Sequence, residues 1–374
     1  MERSTESGRI ETVLLHDWLT GFRGGERVLE AFCDIFPESP LYTLIHVPNT
    51  TSEKIEKRKI VASFLSKIPK IESHYRKFLP LFPSAAESLT IRENPRLILS
   101  SSHCVIKGVQ KPKDCVHISY IHSPMRYLYD QYDNYFGKHA PLYQQWGGRT
   151  FRSYLTSWDL SSNDNVDYMV ANSKFVQERI KKYYRRDSHV IHPFVELQDF
   201  REHAKKDLPK KDYYLMVTAF APNKRVDLAV EVFNELGKPL KIIGSGQQDA
   251  WLRSFAKPNI EFLGNLSRDQ VIHHMREARG FIFPGVEDFG ITPLESLAAG
   301  TPVIAFKAGG VLETLTEETS LFFTEPTAKS LKNAVEKFEN INFEHGRLVA
   351  RAEEFSKEVF QSRIEGFIND VVPR

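Results

Sequence analysis

The sequence predicts an α/β protein built from two doubly wound domains. Three observations carry this prediction. Twelve short apolar runs alternate with amphipathic stretches along 374 residues, the alternation that builds parallel sheets covered by helices. Several runs are continuously apolar, as strands buried on both faces require. A charged stretch with a proline and no apolar periodicity, REHAKKDLPKKD (201–212), divides the runs six and six.

In chain order, the first six strands are expected in TVLLHDW (12–18), LYTLIHV (41–47), KIVASFL (59–65), RLILSSS (96–102), CVHISYIHS (115–123) and DYMVANS (167–173). The second six are expected in YYLMVTAF (213–220), LKIIGSG (240–246), IEFLGN (260–265), GFIFPG (280–285), TPVIAF (301–306) and SLFFTE (320–325). Between the first two, ERVLEAFCDIF (26–36) places Val28, Leu29, Phe32, Ile35 and Phe36 on one helical face. VDLAVEVFNELG (226–237) repeats the pattern and ends on Gly237 as a helix-stopping glycine. FSKEVFQSRIEGFIND (355–370) reads as a last amphipathic helix. The expected domains are 1–204 together with 357–374, and 205–356. Ligands of open α/β sheets bind beyond the carboxyl ends of the strands, so the expected site is a cleft between the two domains.

Composition removes several classes. Hydrophobic residues are 41% and charged residues 26%, which excludes a disordered or fibrous chain. Fifty Lys and Arg against 48 Asp and Glu leave a net charge of +2, so there is no general case for nucleic acid. No apolar run approaches the roughly 18 residues that span a bilayer. The opening MERSTESGR is polar and unlike a secretory signal, so a cytoplasmic location is expected. Cys33, Cys104 and Cys115 are too few and too scattered for a disulfide framework or a zinc site.

Two segments carry chemistry. HDWLTGFRGGERVLE (16–30) follows the first strand, and Gly24-Gly25 opens the first helix. Amides at a helix start are unpaired and the dipole is positive there, so a phosphate can approach where no Cβ blocks it. An ordinary strand-to-helix turn reads the same way. The dinucleotide fingerprint G-x-G-x-x-G is absent, including at GSG (244–246). GFIFPGVEDFGITPLESLAAG (280–300) is more informative: a buried strand, a loop with Glu287, Asp288, Phe289 and Gly290, then a helix holding Ile291, Thr292 and Glu295. Thr292 is the expected N-cap and Pro293 the first helical residue. Amides from Gly290 to Thr292 then face a diphosphate, while Glu287 and Glu295 take sugar or ribose hydroxyls.

At this motif the sequence resembles the retaining glycosyltransferases of family 4, whose GT-B fold pairs two Rossmann-like domains and returns a C-terminal helix to the N-terminal one. EDFGITPLE (287–295) matches that family's E-x7-E element. ANSKFVQERI (171–180), APNKRVDLAVEVFN (221–234), LKIIGSG (240–246) and AGTPVIAFKAGGVLE (299–313) follow in the family's order. The resemblance implies diphosphate neutralisation by Lys224 and Arg225, and donor contacts from Gly24, Gly25, Gly244 and Gly246. One departure stands out: Ala219 occupies a position where many members carry arginine. YIHSPMRYLYD (120–130) resembles the H-[ST]-P-x-R-Y segment of bacterial surface-polysaccharide mannosyltransferases. It implies that His122 contacts the donor sugar, and that Arg126 and Tyr127 serve the acceptor.

The resemblance also implies a metal-independent hexosyltransferase with no cofactor, GDP-mannose as donor, and a saccharide or lipid-linked saccharide as acceptor. Stretch 54–78 holds eight basic and two acidic residues, with Phe64, Leu65, Ile68 and Ile71 at helical spacing. It reads equally as a peripheral contact with an anionic membrane face and as a solvated surface helix. Tyr75, Tyr127, Tyr129 and Tyr132 offer rings for sugar stacking or for the core. A nucleotide-sugar epimerase or hydrolase on the same fold, and a non-catalytic nucleotide-sugar binder, stay open as alternatives.

Overall fold

The computed structural model describes residues 11–136, 142–203 and 209–373. The chain forms two compact units, one of residues 1–192 with 361–374 and one of residues 193–360. The expected boundary at 204/205 lies outside the described residues, as does the polar N-terminal stretch. The division falls ahead of the charged linker because the residues after Pro193 pack on the second unit. Val195 N–H donates to the Phe355 carbonyl at 2.9 Å. Leu197 and Phe200, on the helix Leu197–His203, join that unit's core.

In the first unit seven parallel strands run β3-β2-β1-β4-β5-β6-β7. They are β1 (Thr12–Leu19), β2 (Leu41–His46), β3 (Ile60–Ala62), β4 (Leu97–Ser102), β5 (Val116–Ile121), β6 (Tyr168–Ala171) and β7 (His189–Val190). The two-residue β7 is too short to register as an apolar run. Helix α1 (Gly24–Ile35) buries Val28, Leu29 and Phe32, the face its spacing predicts. Helix α2 is Leu142–Ser161 and α3 is Lys174–Tyr184.

Stretch 54–78 is not one helix. It breaks into a helical turn (Glu53–Glu56), β3, and further short turns (Phe64–Lys67, Ile71–His74). Leu65 and Ile71 are buried in the core and Phe64 is exposed. Lys54 pairs with Asp34, Lys57 with Glu53 and Lys59 with Glu93. The apolar spacing therefore reports core contacts of a broken segment rather than an amphipathic stripe.

In the second unit six parallel strands run β10-β9-β8-β11-β12-β13. They are β8 (Tyr214–Val217), β9 (Leu240–Ile243), β10 (Ile260–Gly264), β11 (Gly280–Phe283), β12 (Val303–Phe306) and β13 (Ser320–Phe323). Strand alternation sends Leu215, Phe281, Phe283 and Val303 into one core. Tyr214, Met216, Ile282 and Ile304 enter the other. Both faces are apolar, which is why these runs read as continuous. The covering helices include α4 (Val226–Leu236), α5 (Arg268–Glu277), α6 (Ile291–Ala298) and α7 (Ala328–Phe338).

The last helix, α8 (Lys357–Val371), leaves the second unit and ends in the first. Gln361 there donates to the Ala31 carbonyl at 3.3 Å, and Phe367 stacks on His189 at 4.9 Å. In each sheet the strand order reverses between two central neighbours, β1 and β4 in one and β8 and β11 in the other. The carboxyl ends of these central strands are the ligand position of such sheets.

Candidate active site

At the first switch point the ends of β1, β4 and β5 bring His16, Asp17, Ser101 and His122 together. The Asp17 carboxylate is fully buried. It accepts backbone N–H groups of His103 and Cys104 at 2.7 and 2.9 Å, and of Val105 and Ile106 at 2.9 Å each. His103 Nδ1 stands 3.3 Å from the same carboxylate. Asp17 thus caps the turn after β4 and fixes its direction.

His122 follows β5, its N–H donating to the Ser102 carbonyl at 2.8 Å. Its Nε2 lies 2.7 Å from Ser101 Oγ, which in turn lies 3.1 Å from His16 Nδ1. Burial, with His103, His16 and Arg126 nearby, holds the His122 imidazole neutral, well below its ordinary range. Its backbone carbonyl, a candidate contact for the reacting sugar, accepts from Asn172 Nδ2 at 2.9 Å. One lone pair is therefore already engaged.

Helix α1 begins at Gly24, beside this cluster. A Cβ on Gly25 would stand 3.5 Å from His16 Cε1 and 3.8 Å from His122 Nε2, so a larger residue there would crowd the cluster. Arg126 is half-buried and donates from Nε to Ser123 Oγ at 3.2 Å. Tyr127 turns inward. Its hydroxyl meets Cys104 Sγ at 2.8 Å and Met125 Sδ at 3.1 Å, so the expected acceptor contact has no hydroxyl facing outward. Among the other tyrosines, Tyr75 is buried and Tyr129 stacks on Tyr183 at 4.4 Å while donating to Asp159. Tyr132 lies under the Arg152 guanidinium at 4.0 Å.

At the second switch point, the loops after β8 and β11 meet. Lys224 Nζ pairs with Glu287 Oε1. Their side chains keep 18% and 22% of their exposure, so the pair stays reachable from solvent. Asp288 and Phe289 are buried beside it. Gly290 has φ of +86° and caps α6, whose first residue is Ile291. The helix starts two residues earlier than Thr292 and Pro293 suggest. A left-handed glycine turns the chain into the helix without a side-chain cap, and Pro293 still falls in the first turn, where no amide bond is lost.

Arg225, expected to neutralise the diphosphate together with Lys224, stands beside Asp227. It sits at φ of +52°, and its Nε lies 3.2 Å from each Asp227 oxygen. Its Nη1 reaches the Pro326 carbonyl at 3.5 Å. Asp227 therefore neutralises the charge expected to offset Ala219. Gly244 has φ of +134°, and a Cβ there would meet the Thr218 carbonyl at 1.9 Å. A Cβ on Gly246 would meet Phe220 O at 2.6 Å. Close backbone packing alone accounts for both glycines.

Glu295, on α6, pairs with Arg268 Nη1 at 2.7 Å. Arg268 Nε also donates to Asp199 at 3.0 Å. Arg268 opens α5, whose start is set by a Ser267–Gln270 capping box. Sequence reasoning passed over Arg268, which belongs to no motif. It passed over Asp17, His16 and Ser101 as well, although their places at strand ends mark them. Among the described residues, no three His, Cys, Asp or Glu side chains are grouped to hold a metal ion. Among them, too, no helix is long and apolar enough to cross a membrane.

Residues 198–357 match the family described as "Glycosyl transferases group 1". An uncharacterized glycosyltransferase of Methanocaldococcus jannaschii is 28% identical over 218 residues, 56% of this chain and 58% of that protein. The alpha-1,3/1,6-mannosyltransferase of Dictyostelium discoideum is 25% identical over 240 residues, 51% of this chain and 57% of that one. A GDP-mannose-dependent phosphatidylinositol monomannoside mannosyltransferase of Corynebacterium glutamicum is 39% identical over 93 residues, 22% of this chain and 24% of that protein. The chain thus spans just over half the length of the first two relatives. Sucrose-phosphate synthase of Thermosynechococcus elongatus superposes with a TM-score of 0.71 at 16% identity, covering 96% of this chain and 99% of that one. The chain thus has two parallel-sheet units in the GT-B fold, and its segment 198–357 is similar to the group 1 glycosyl transferases.

Proposed function

We propose that the protein transfers a hexose from a nucleotide diphosphate sugar to a saccharide or lipid-linked saccharide, with retention at the anomeric carbon. The observation that carries this reading is the Lys224–Glu287 pair at the β8/β11 switch point, inside the segment that matches the family. Negative charge develops on the leaving diphosphate as the glycosidic bond breaks. Lys224, swung from Glu287 to the phosphate, and the first amides of α6 offset that charge. Glu287, released from Lys224, accepts from sugar hydroxyls. Glu295 accepts from the ribose with the oxygen that Arg268 leaves free. The Gly24-Gly25 turn offers the amides of α1 to the diphosphate, and the neutral His122 meets the sugar.

Mannose from GDP-mannose is the proposed donor. Support comes from the HSPMRY segment and from the mannosyltransferase names of two relatives. The leaving phosphate takes the acceptor hydroxyl proton during front-side attack, so neither glutamate acts as a nucleophile. The reaction calls on neither cofactor nor metal. The protein works from the cytoplasmic side, at the membrane face where a lipid-linked acceptor is presented.

The test is an assay with GDP-mannose, alone and with a mannosylated acceptor, read by NMR at the anomeric proton. An α-linked product formed only with acceptor is expected. Free mannose or an epimer formed at the same rate without acceptor would sink the transferase reading. Stronger thermal stabilisation by UDP than by GDP would remove the guanine assignment.

A further inference from the structure

Glu26, His16 and Ser101 have no part in the reading above, yet they lie in one line ending on His122. Glu26 belongs to the first turn of α1, His16 to β1, Ser101 to β4, and His122 follows β5. His16 and Ser101 are fully buried, and Glu26 nearly so. The separations are 3.8 Å from Glu26 Oε1 to His16 Nε2, 3.1 Å from His16 Nδ1 to Ser101 Oγ, and 2.7 Å from Ser101 Oγ to His122 Nε2. Residues 16, 26, 101 and 122, from four elements, have to be brought together before this line exists.

The line has a direction, because each member has a fixed number of protons. Burial alone would raise the Glu26 carboxyl; the His16 ring beside it and the backbone donors it accepts from outweigh this and lower it, so Glu26 is a carboxylate. Among the described residues His16 Nε2 has no partner within hydrogen-bond distance, and it faces that carboxylate. A ring lone pair aimed at a carboxylate is repelled and an N–H is attracted, so a single ring proton on His16 belongs on Nε2. His16 Nδ1 is then an acceptor and takes the single hydroxyl proton of Ser101. With that proton used, Ser101 Oγ can only accept from His122, which places the His122 proton on Nε2.

We propose that Glu26, His16 and Ser101 are positioning residues that order the protons of this line, so that His122 presents the lone pair of Nδ1 to a hydroxyl of the donor sugar. This rests on the reading of His122 as the residue that meets the sugar. A His122 with its proton on Nδ1 would instead ask for an acceptor atom on the ligand. The line thus selects a hydroxyl hydrogen as the group recognised.

Glu26→Gln is the decisive variant. Its amide oxygen can still accept from Arg23 N, as Glu26 Oε2 does at 2.9 Å. Its amino group, placed at His16 Nε2, donates where the carboxylate accepted. Every proton in the line then reverses, and His122 should carry its proton on Nδ1. The readout is a long-range 1H–15N spectrum of histidine-labelled full chain near pH 7, with the His122 signal assigned by its loss in His122→Gln. Expected in the native chain is an unprotonated-nitrogen shift at Nδ1 and a protonated one at Nε2, exchanged in Glu26→Gln. In Ser101→Ala the line is cut, and adding Glu26→Gln should leave the His122 signal as it is in Ser101→Ala alone. An unchanged backbone amide spectrum in each variant shows that the fold persists.

A native His122 with its proton on Nδ1 overturns the proposal. So does a His122 signal indifferent to Glu26→Gln in an otherwise intact fold. Transfer kinetics then separate this claim from the functional reading. KM for the sugar nucleotide should rise about tenfold in Glu26→Gln, the worth of one hydrogen bond, while Kd for the free nucleoside diphosphate stays within twofold. If the tautomer reverses and KM does not move, the contact between His122 and the sugar is wrong. If the native chain transfers no sugar at all, the functional reading fails while the spectrum still decides the proton order.

Discussion

The two switch points share a topology and differ in chemistry. In the first unit the ends of β1, β4 and β5 hold a buried set in which Asp17 is satisfied by four backbone amides and His122 is held neutral. In the second, the loops after β8 and β11 hold ion pairs that remain partly exposed, Lys224 with Glu287 and Arg268 with Glu295. Buried polar groups are costly to leave unpaired and therefore rigid, whereas half-exposed ion pairs are cheap to exchange. The comparison teaches that one scaffold can hold a rigid, buried polar set in one unit and exchangeable, partly exposed ion pairs in the other.

Asp17→Asn should break the comparison hardest. An amide offers one acceptor oxygen where the carboxylate offers two, so at least one pair of N–H groups is left facing an N–H2 group. A loss of roughly 4 kcal/mol is expected from the orphaned donors and lost charge-assisted bonds. Urea unfolding followed by tryptophan fluorescence suits this test, since Trp18 contacts His103 beside the site at 4.3 Å. Glu287→Gln in the second unit should shift the same midpoint far less. Equal shifts would erase the distinction between the units.

Acid should separate the units next. Burial depresses the fully buried His117 to about 4. Its unfolded pKa is about 6.5, so between these values the unfolded chain binds a proton that the folded chain does not. Stability is complete above pH 6.5 and is lost as the pH falls toward 4, by roughly 3 kcal/mol in all. His117→Asn should flatten that part of the profile. If the slope between pH 6.5 and 4 is unaltered, other groups carry it.

Lys224→Ala should lower transfer by about ten- to a hundredfold, the worth of a charge-assisted contact of roughly 1.5–3 kcal/mol. Its melting temperature should move little, because the pair with Glu287 is partly exposed and worth about 1 kcal/mol at most. Arg225→Ala should cost less activity than Lys224→Ala, since Asp227 already holds that guanidinium. A larger loss from Arg225 would show that it leaves Asp227 when the donor binds.

The finest distinction is between the two glutamates. Glu295→Ala should weaken binding of free nucleoside diphosphate about fivefold, the worth of a single hydrogen bond. Arg268→Met should do the same through Glu295, and the double variant no more than either alone. Glu287→Ala should leave the nucleoside diphosphate unaffected and lower transfer. Calorimetry and initial rates decide this, and indistinguishable variants would dissolve the assignment of separate roles.

Much of the fold was legible because its cause is local. The twelve apolar runs became strands, since a parallel strand buried on both faces is apolar over most of its length. The glycine turn at Gly24-Gly25 and the loop from Glu287 to Gly290 were visible because close backbone approach and helix starts have local residue signatures. Stretch 54–78 misled for the same reason: helical spacing is local, but whether a core lies beneath each turn is not.

Partnership between distant residues belongs to the tertiary structure alone. Arg225 pairs with Asp227, two residues on, while Glu295 pairs with Arg268, which lies on another helix. Tyr127 points at Cys104 rather than outward because β4 and β5 stand side by side. His16, Ser101 and His122 touch only because β1, β4 and β5 are adjacent in a sheet whose order departs from sequence order. Periodicity acts over a few residues and is written in the chain. Which charge meets which, and which imidazole nitrogen carries a proton, depend on distances that exist only once the sheets have assembled.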